Sequence, residues 1–102
     1  MVIDTRNDLT VQPGSVVSRT VVKNGGGSVT LCAFDQGQSL SEHTAPFDAL
    51  FHCLEGAFTV TIGGTPHVLS GGAMVLMPGG IPHAVNADRP SKCLLVMLRT
   101  AV

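Results

Sequence analysis

Residues 55–64 read Glu-Gly-Ala-Phe-Thr-Val-Thr-Ile-Gly-Gly. Phe58, Val60 and Ile62 alternate with Ala57, Thr59 and Thr61, a period of two that marks a strand with one face toward a core. Glu55-Gly56 before it and Gly63-Gly64 after it supply residues that tolerate positive φ, so the segment reads as a strand between two tight turns. Outward from this stretch the pattern repeats. Short β-rich runs are expected at Val16–Val22, Ser28–Phe34, Leu40–His43, Ala49–Leu54, His67–Leu69, Ala73–Met77, His83–Asn86 and Lys92–Leu98. Between them stand Lys-Asn-Gly-Gly-Gly at 23–27, Gly71-Gly72, Pro-Gly-Gly-Ile-Pro at 78–82 and Ala-Asp-Arg-Pro at 87–90. No stretch carries the i, i+3, i+4, i+7 apolar stripe of a helix. Strands at this spacing predict an all-β sandwich or barrel. Ser28–Phe34 and Lys92–Leu98 are apolar on both faces, so both strands should be covered on both sides.

The chain has 102 residues, enough for one domain over 1–102, with residues 1–14 as an N-terminal arm or edge strand and 15–99 as the barrel. Apolar residues make up 44%, charged residues 13%, and mean hydropathy is +0.36, which places the chain among globular proteins. Six basic against seven acidic side chains give a net charge of −1, which supplies neither a nucleic-acid footprint nor a polybasic membrane anchor. No apolar stretch approaches the roughly 20 residues of a membrane-spanning helix. Residues 1–10 lack the basic and apolar regions of a secretory signal, so a cytoplasmic location is expected. Tyr and Trp are absent, which excludes a tyrosine general acid and leaves few aromatic stacking platforms.

Three cysteines, Cys32, Cys53 and Cys93, are an odd number at spacings unlike a zinc-binding knuckle. Each lies in an apolar run, so three reduced, buried thiols are expected.

Two segments form a pair: Gly37-QSLSE-His43-TAPFDALFHCLE-Gly56, then Gly72-AMVLM-Pro78-Gly-Gly80-IP-His83-AVN. They resemble the two motifs of the cupin superfamily, G-x5-H-x-H-x3-4-E-x6-G and G-x5-P-x-G-x2-H-x3-N, over about residues 28–98, the G-x5-P-x-G-x2-H frame of the second being the part that fits. The resemblance implies a small single-domain cupin, a double-stranded β-helix of jelly-roll type. In metal-binding members, two histidines and a carboxylate of the first motif and the histidine of the second hold one divalent ion, such as Zn, Ni, Mn or Fe. Position by position, His43 and His83 match the first and last of these ligands. Ala45 stands where the second histidine would be and Ala49 where the carboxylate would be, so the first motif is degenerate. Two neutral imidazoles alone hold a divalent ion poorly.

Counting in twos from Ala49 turns Phe51 and Cys53 inward and Leu50, His52 and Leu54 outward. The expected pocket lining is therefore His43, Ala45, Ala49, Phe51, Cys53 and His83. Asp48 is one position out of register, and Pro46-Phe47 could shift it, which makes it the best substitute carboxylate for a metal held by His43 and His83. His67 and Glu42 are expected to face solvent. A Ser41–His43–Asp48 triad has no nucleophile-elbow context, and nothing near Cys53 and His83 depresses a thiol pKa. The glycine-rich tracts are hairpin turns and open no helix, so no phosphate-cradling loop is read from them.

Three functions compete. The first is a small-molecule-binding barrel, with or without a weak divalent ion. The second is a metal-dependent cupin enzyme, dioxygenase- or isomerase-like, acting on a small metabolite. The third is a dimeric structural or regulatory module. The two alanines favour binding over catalysis. The apolar surplus on so small a barrel, with the habit of the small cupins it resembles, predicts a homodimer formed by Met1–Gly14 and the outward residues of one sheet.

Overall fold

A computed structural model describes residues 1–99; the last three residues of the expected 1–102 domain lie outside the described ones. Nine strands follow in order: β1 Val16–Asn24, β2 Gly27–Phe34, β3 Ser39–His43, β4 Ala49–Glu55, β5 Ala57–Ile62, β6 Thr65–Ser70, β7 Met74–Met77, β8 His83–Ala87 and β9 Ser91–Leu98. Every expected run is a strand, and no helix occurs among the described residues. All pairings are antiparallel. One sheet has the order β1-β2-β9-β4-β7 and the other β3-β8-β5-β6. The two sheets face each other around one core, an all-β jelly-roll barrel.

Alternation builds that core. Ala49, Phe51 and Cys53 of β4 and Phe58 and Val60 of β5 turn inward, joined by Phe34, Leu69, Met77, Val85, Ala87 and Cys93. Phe58 sits at the centre, its ring edge-on to Phe34 at 5.2 Å and to Phe51 at 4.9 Å. Such edge-to-face pairs each contribute about 0.5–1.5 kcal/mol beyond the area they bury. Turns follow the glycines: Gly63 and Gly64 both take positive φ between β5 and β6.

Register brings the cysteines together. Cys32 lies opposite Cys93 on β9, and Cys93 lies opposite Cys53 on β4, so three thiols form a row across three neighbouring strands. All three are free and buried.

Coverage of β2 and β9 on both sides is complete only at one end. Leu31–Phe34 and Ser91–Cys93 are buried, whereas Met97 and Leu98 are exposed. The cause is the arm. Residues 1–14 form no strand; they cross the outer face of the five-stranded sheet, tied down at three places. Asp8 pairs with Arg19 of β1, Lys92 of β9 donates to the Arg6 carbonyl, and Asp35 after β2 accepts from Gly14 N–H. Under this strap Leu31 and Ala33, outward by register, have no exposed surface. Beyond it the outer face is bare and apolar: Val22, Val29, Val96, Leu50 and Leu76 form a row across all five strands.

Candidate functional site

Strand β3 ends at His43 and β8 begins at His83, and these two residues are register partners. A register shift between Leu40 and His43 turns the histidine toward its partner. Their Nε2 atoms are 3.1 Å apart. The far ring nitrogens are also engaged: His43 Nδ1 lies 2.8 Å from the Ser41 carbonyl and His83 Nδ1 lies 3.3 Å from the Ile81 carbonyl. A carbonyl only accepts, so each Nδ1 carries its ring's proton and donates it. In the neutral rings both Nε2 lone pairs then converge on one point. Burial pushes His83 below the usual histidine range; the Ile81 bond opposes this and the nearby His43 reinforces it. Two acceptors at 3.1 Å repel unless something positive or hydrogen-bearing lies between them. The pair is built to receive a proton, a ligand N–H or O–H, or a cation.

Main-chain contacts hold the two motifs together. Gly80 N–H donates to the Ala45 carbonyl at 2.8 Å, and Gly79 N–H donates to Asp48 Oδ1 at 2.8 Å. Gly79 rests so closely on the preceding loop that an added Cβ would meet the Pro46 carbonyl oxygen at 2.7 Å. Asp48 thus fastens the 78–82 loop. Among the described residues no group of three or more His, Cys, Asp or Glu side chains converges where an ion could be held.

That donor set can be tested against the ion which the cupin pattern implies. Nitrogens bound at ~2.1 Å to one divalent ion sit about 3.0 Å apart on neighbouring octahedral positions and about 3.4 Å apart on tetrahedral ones, and the histidine pair at 3.1 Å falls within this range. The count does not match: Ala45 and Ala49 offer no donor, and Asp48 is engaged with the loop. The residues present do not fit a resident metal held by a full shell.

The remaining expected lining lies deeper. Ala49, Phe51 and Cys53 face inward, but at 3%, 2% and 0% exposure they are packed into the core. Ala45 is half-buried at the rim. His67 and Glu42 are exposed. His52, on the outer face, borders a cleft with Thr5, Arg6, Leu54 and Glu55 beside the arm. Sequence reasoning missed the carbonyl partners of the two imidazoles and the latch from Asp48 to Gly79; a histidine two residues after a backbone carbonyl on a strand end carries no local mark.

A small antiparallel barrel with paired histidines at one mouth defines the class. The cupin domain matches residues 30–98, and the chain belongs to that family. Among solved structures it is similar to a conserved protein of unknown function from Streptococcus pyogenes, with 29% identity and a TM-score of 0.93 over 100% of this chain and 90% of that one. A cupin 2 conserved barrel domain protein from Leptotrichia buccalis is 34% identical with a TM-score of 0.86, covering 89% of this chain but only 44% of its own length. KdgF from Halomonas sp. is 25% identical, with a TM-score of 0.79 over 96% and 92% of the two chains. No curated protein matches the chain. No helix among the described residues is long and apolar enough to cross a membrane.

Proposed function

We propose that this cupin binds a small organic molecule at the barrel mouth, with the His43–His83 pair as its recognition element. The observation that carries the reading is the engagement of both Nδ1 atoms by backbone carbonyls, which leaves two acceptor nitrogens aimed at one point. The matching group on a ligand is a hydroxyl or amine hydrogen. Phe51, Cys53 and Ala49 are packed in the core below the mouth and give the histidine-bearing strands a rigid support. A weak, exchangeable divalent ion on the same two nitrogens is the second reading, favoured by their 3.1 Å separation. The competing reading, a metal-dependent enzyme, needs donors that positions 45 and 49 lack. A homodimeric, cytoplasmic protein completes the proposal: the outer-sheet apolar row suits a second copy, and three free thiols suit a reducing compartment.

Two measurements test it. Long-range ¹⁵N–¹H spectra should show both rings as Nδ1–H tautomers above pH 7, with Nε2 signals that move when ligand or ion is added. Zinc titrated into chelator-treated protein should bind weakly and be lost on a second dialysis. A full equivalent of metal surviving that dialysis would overturn the binding reading in favour of the enzyme.

A further inference from the structure

The barrel end that carries the histidines also carries an open cleft of about 280 Å³ lined by Lys23, Ser28, Phe47, Met97, Leu98 and Arg99, among others. Its position follows from the chain path. Strand β3 ends at His43, the loop through Pro46 and Phe47 leads into Ala49, and Ala49 is the register partner of Met97, itself the partner of Ser28. The start of β2 and the end of β9 therefore lie at the same mouth as the start of β4. Leu98 N–H donates to the Asp48 carbonyl at 3.0 Å, which closes the loop against β9.

The charges around this cleft are one-sided. The chain has six cationic side chains. Arg19 pairs with Asp8, Lys92 pairs with Glu55, and Arg89 donates to the Gly56 carbonyl. Among the described residues the side chains of Arg6, Lys23 and Arg99 have no such partner, and two of these three line this one cleft. Among the described residues no carboxylate side chain lines it. Asp48, next to Phe47 in sequence, has its Oδ1 committed to Gly79. Phe47, Met97 and Leu98 give the same cleft an apolar wall.

From this arrangement we infer that the cleft is a carboxylate subsite of the mouth, taking small amphipathic acids whose anionic end lies between Lys23 and Arg99 and whose hydrocarbon part lies on Phe47 and Met97. The inference rests on the proposed mouth-binding role and narrows it. The neutral histidine pair offers acceptors and repels a carboxylate, whereas the two cations attract an anionic group, of which a carboxylate is the smallest organic example. Hydroxy acids complement both ends. The charge pair supplies attraction and orientation, and the apolar wall supplies most of the contact area.

The test uses the full chain, with hexanoate, hexan-1-ol and 6-hydroxyhexanoate as probes followed by ¹H–¹⁵N amide shifts at about 0.1 M salt. Hexanoate should shift the amides of Ser28, Phe47, Met97 and Arg99 and bind more tightly than hexan-1-ol. Lys23→Gln with Arg99→Gln should weaken hexanoate at least tenfold while leaving hexan-1-ol unchanged. Arg89→Gln, which removes one cation at the other end of the barrel, should leave both unchanged. 6-Hydroxyhexanoate should gain over hexanoate, and His43→Ala should abolish that gain only. Hexanoate binding that is indifferent to Lys23 and Arg99, or that falls equally with Arg89→Gln, overturns the subsite. Loss of hexanoate in the cation variants without any gain from the hydroxyl supports the subsite and overturns the histidine reading instead.

Discussion

At His43 the direction of the ring is set before any ligand arrives, by a strand bulge, a carbonyl two residues back and a partner imidazole on β8. Ala45 and Ala49 then determine what that direction can achieve. Ala45→His with Ala49→Glu supplies two donors at the positions where the family carries them, on a scaffold already rigid. The double variant should bind nickel or zinc by orders of magnitude more tightly than the wild type in calorimetric titrations, and His83→Ala on top should remove most of the gain. Failure of the double variant to bind would show that positions 45 and 49 do not face the histidines. The thiols admit a second residue-level expectation. Hydrogen bonding to Cys32 and burial both push the Cys93 thiol up, burial pushes Cys53 up, and only Cys32, accepting from Cys93, is held below the usual value. An aromatic disulfide reagent should react with native protein far more slowly than with unfolded protein, and first at Cys32. Rapid reaction of Cys53 would contradict its burial.

Elements were far more legible in the sequence than their partners. Glycine pairs and period-two alternation announce all nine strands because both signals are local. The row Cys32–Cys93–Cys53 was invisible, since it depends on the register of β2 and β4 on β9 across dozens of residues. The turn of His43 toward His83 needs a register shift that no residue type marks, and the placing of Lys23 and Arg99 on one cleft depends on where two strand ends finish. Loop contacts were equally hidden, and they have measurable weight. Gly79→Ala drives a methyl to 2.7 Å from the Pro46 carbonyl and 3.0 Å from Phe47. It should cost about 1–3 kcal/mol in denaturant melts, in the range of overpacking, and disturb both histidine signals. A neutral outcome would mean that the loop is not clamped. The arm gives a pH signature. Backbone hydrogen bonds, first from Gly14 and then from Gln36, hold the Asp35 carboxyl below its ordinary value. The stabilisation is therefore complete above about pH 4 and is lost as pH falls through the folded value. Melting temperature should drop below about pH 4 more steeply for the wild type than for Asp35→Asn; parallel curves would count against this tie.

For the whole molecule the bare outer sheet matters most. Met74 and Leu76 are 55% and 48% exposed at one edge and Val22 is 48% exposed at the other, with half-buried Val29, Val96 and Leu50 between them. A sheet of this width facing water is what a second copy would cover, packed face to face about a two-fold axis. Light scattering at micromolar concentration should report about twice the 10.5 kDa chain mass. Leu76→Arg with Val96→Arg should shift it to the monomer without altering the far-ultraviolet spectrum. A wild-type monomer at that concentration would remove the dimer.

The contact between the Gly79-Gly80 loop and Pro46 is made largely of main-chain atoms, and Ala45 takes part through its carbonyl rather than its methyl. Aim and chemistry are thus inherited separately. Side chains at positions 45 and 49 can be exchanged in descent while the two imidazoles continue to point where they did. A lineage could erase a metal centre here and regain it by two substitutions without rebuilding the barrel between.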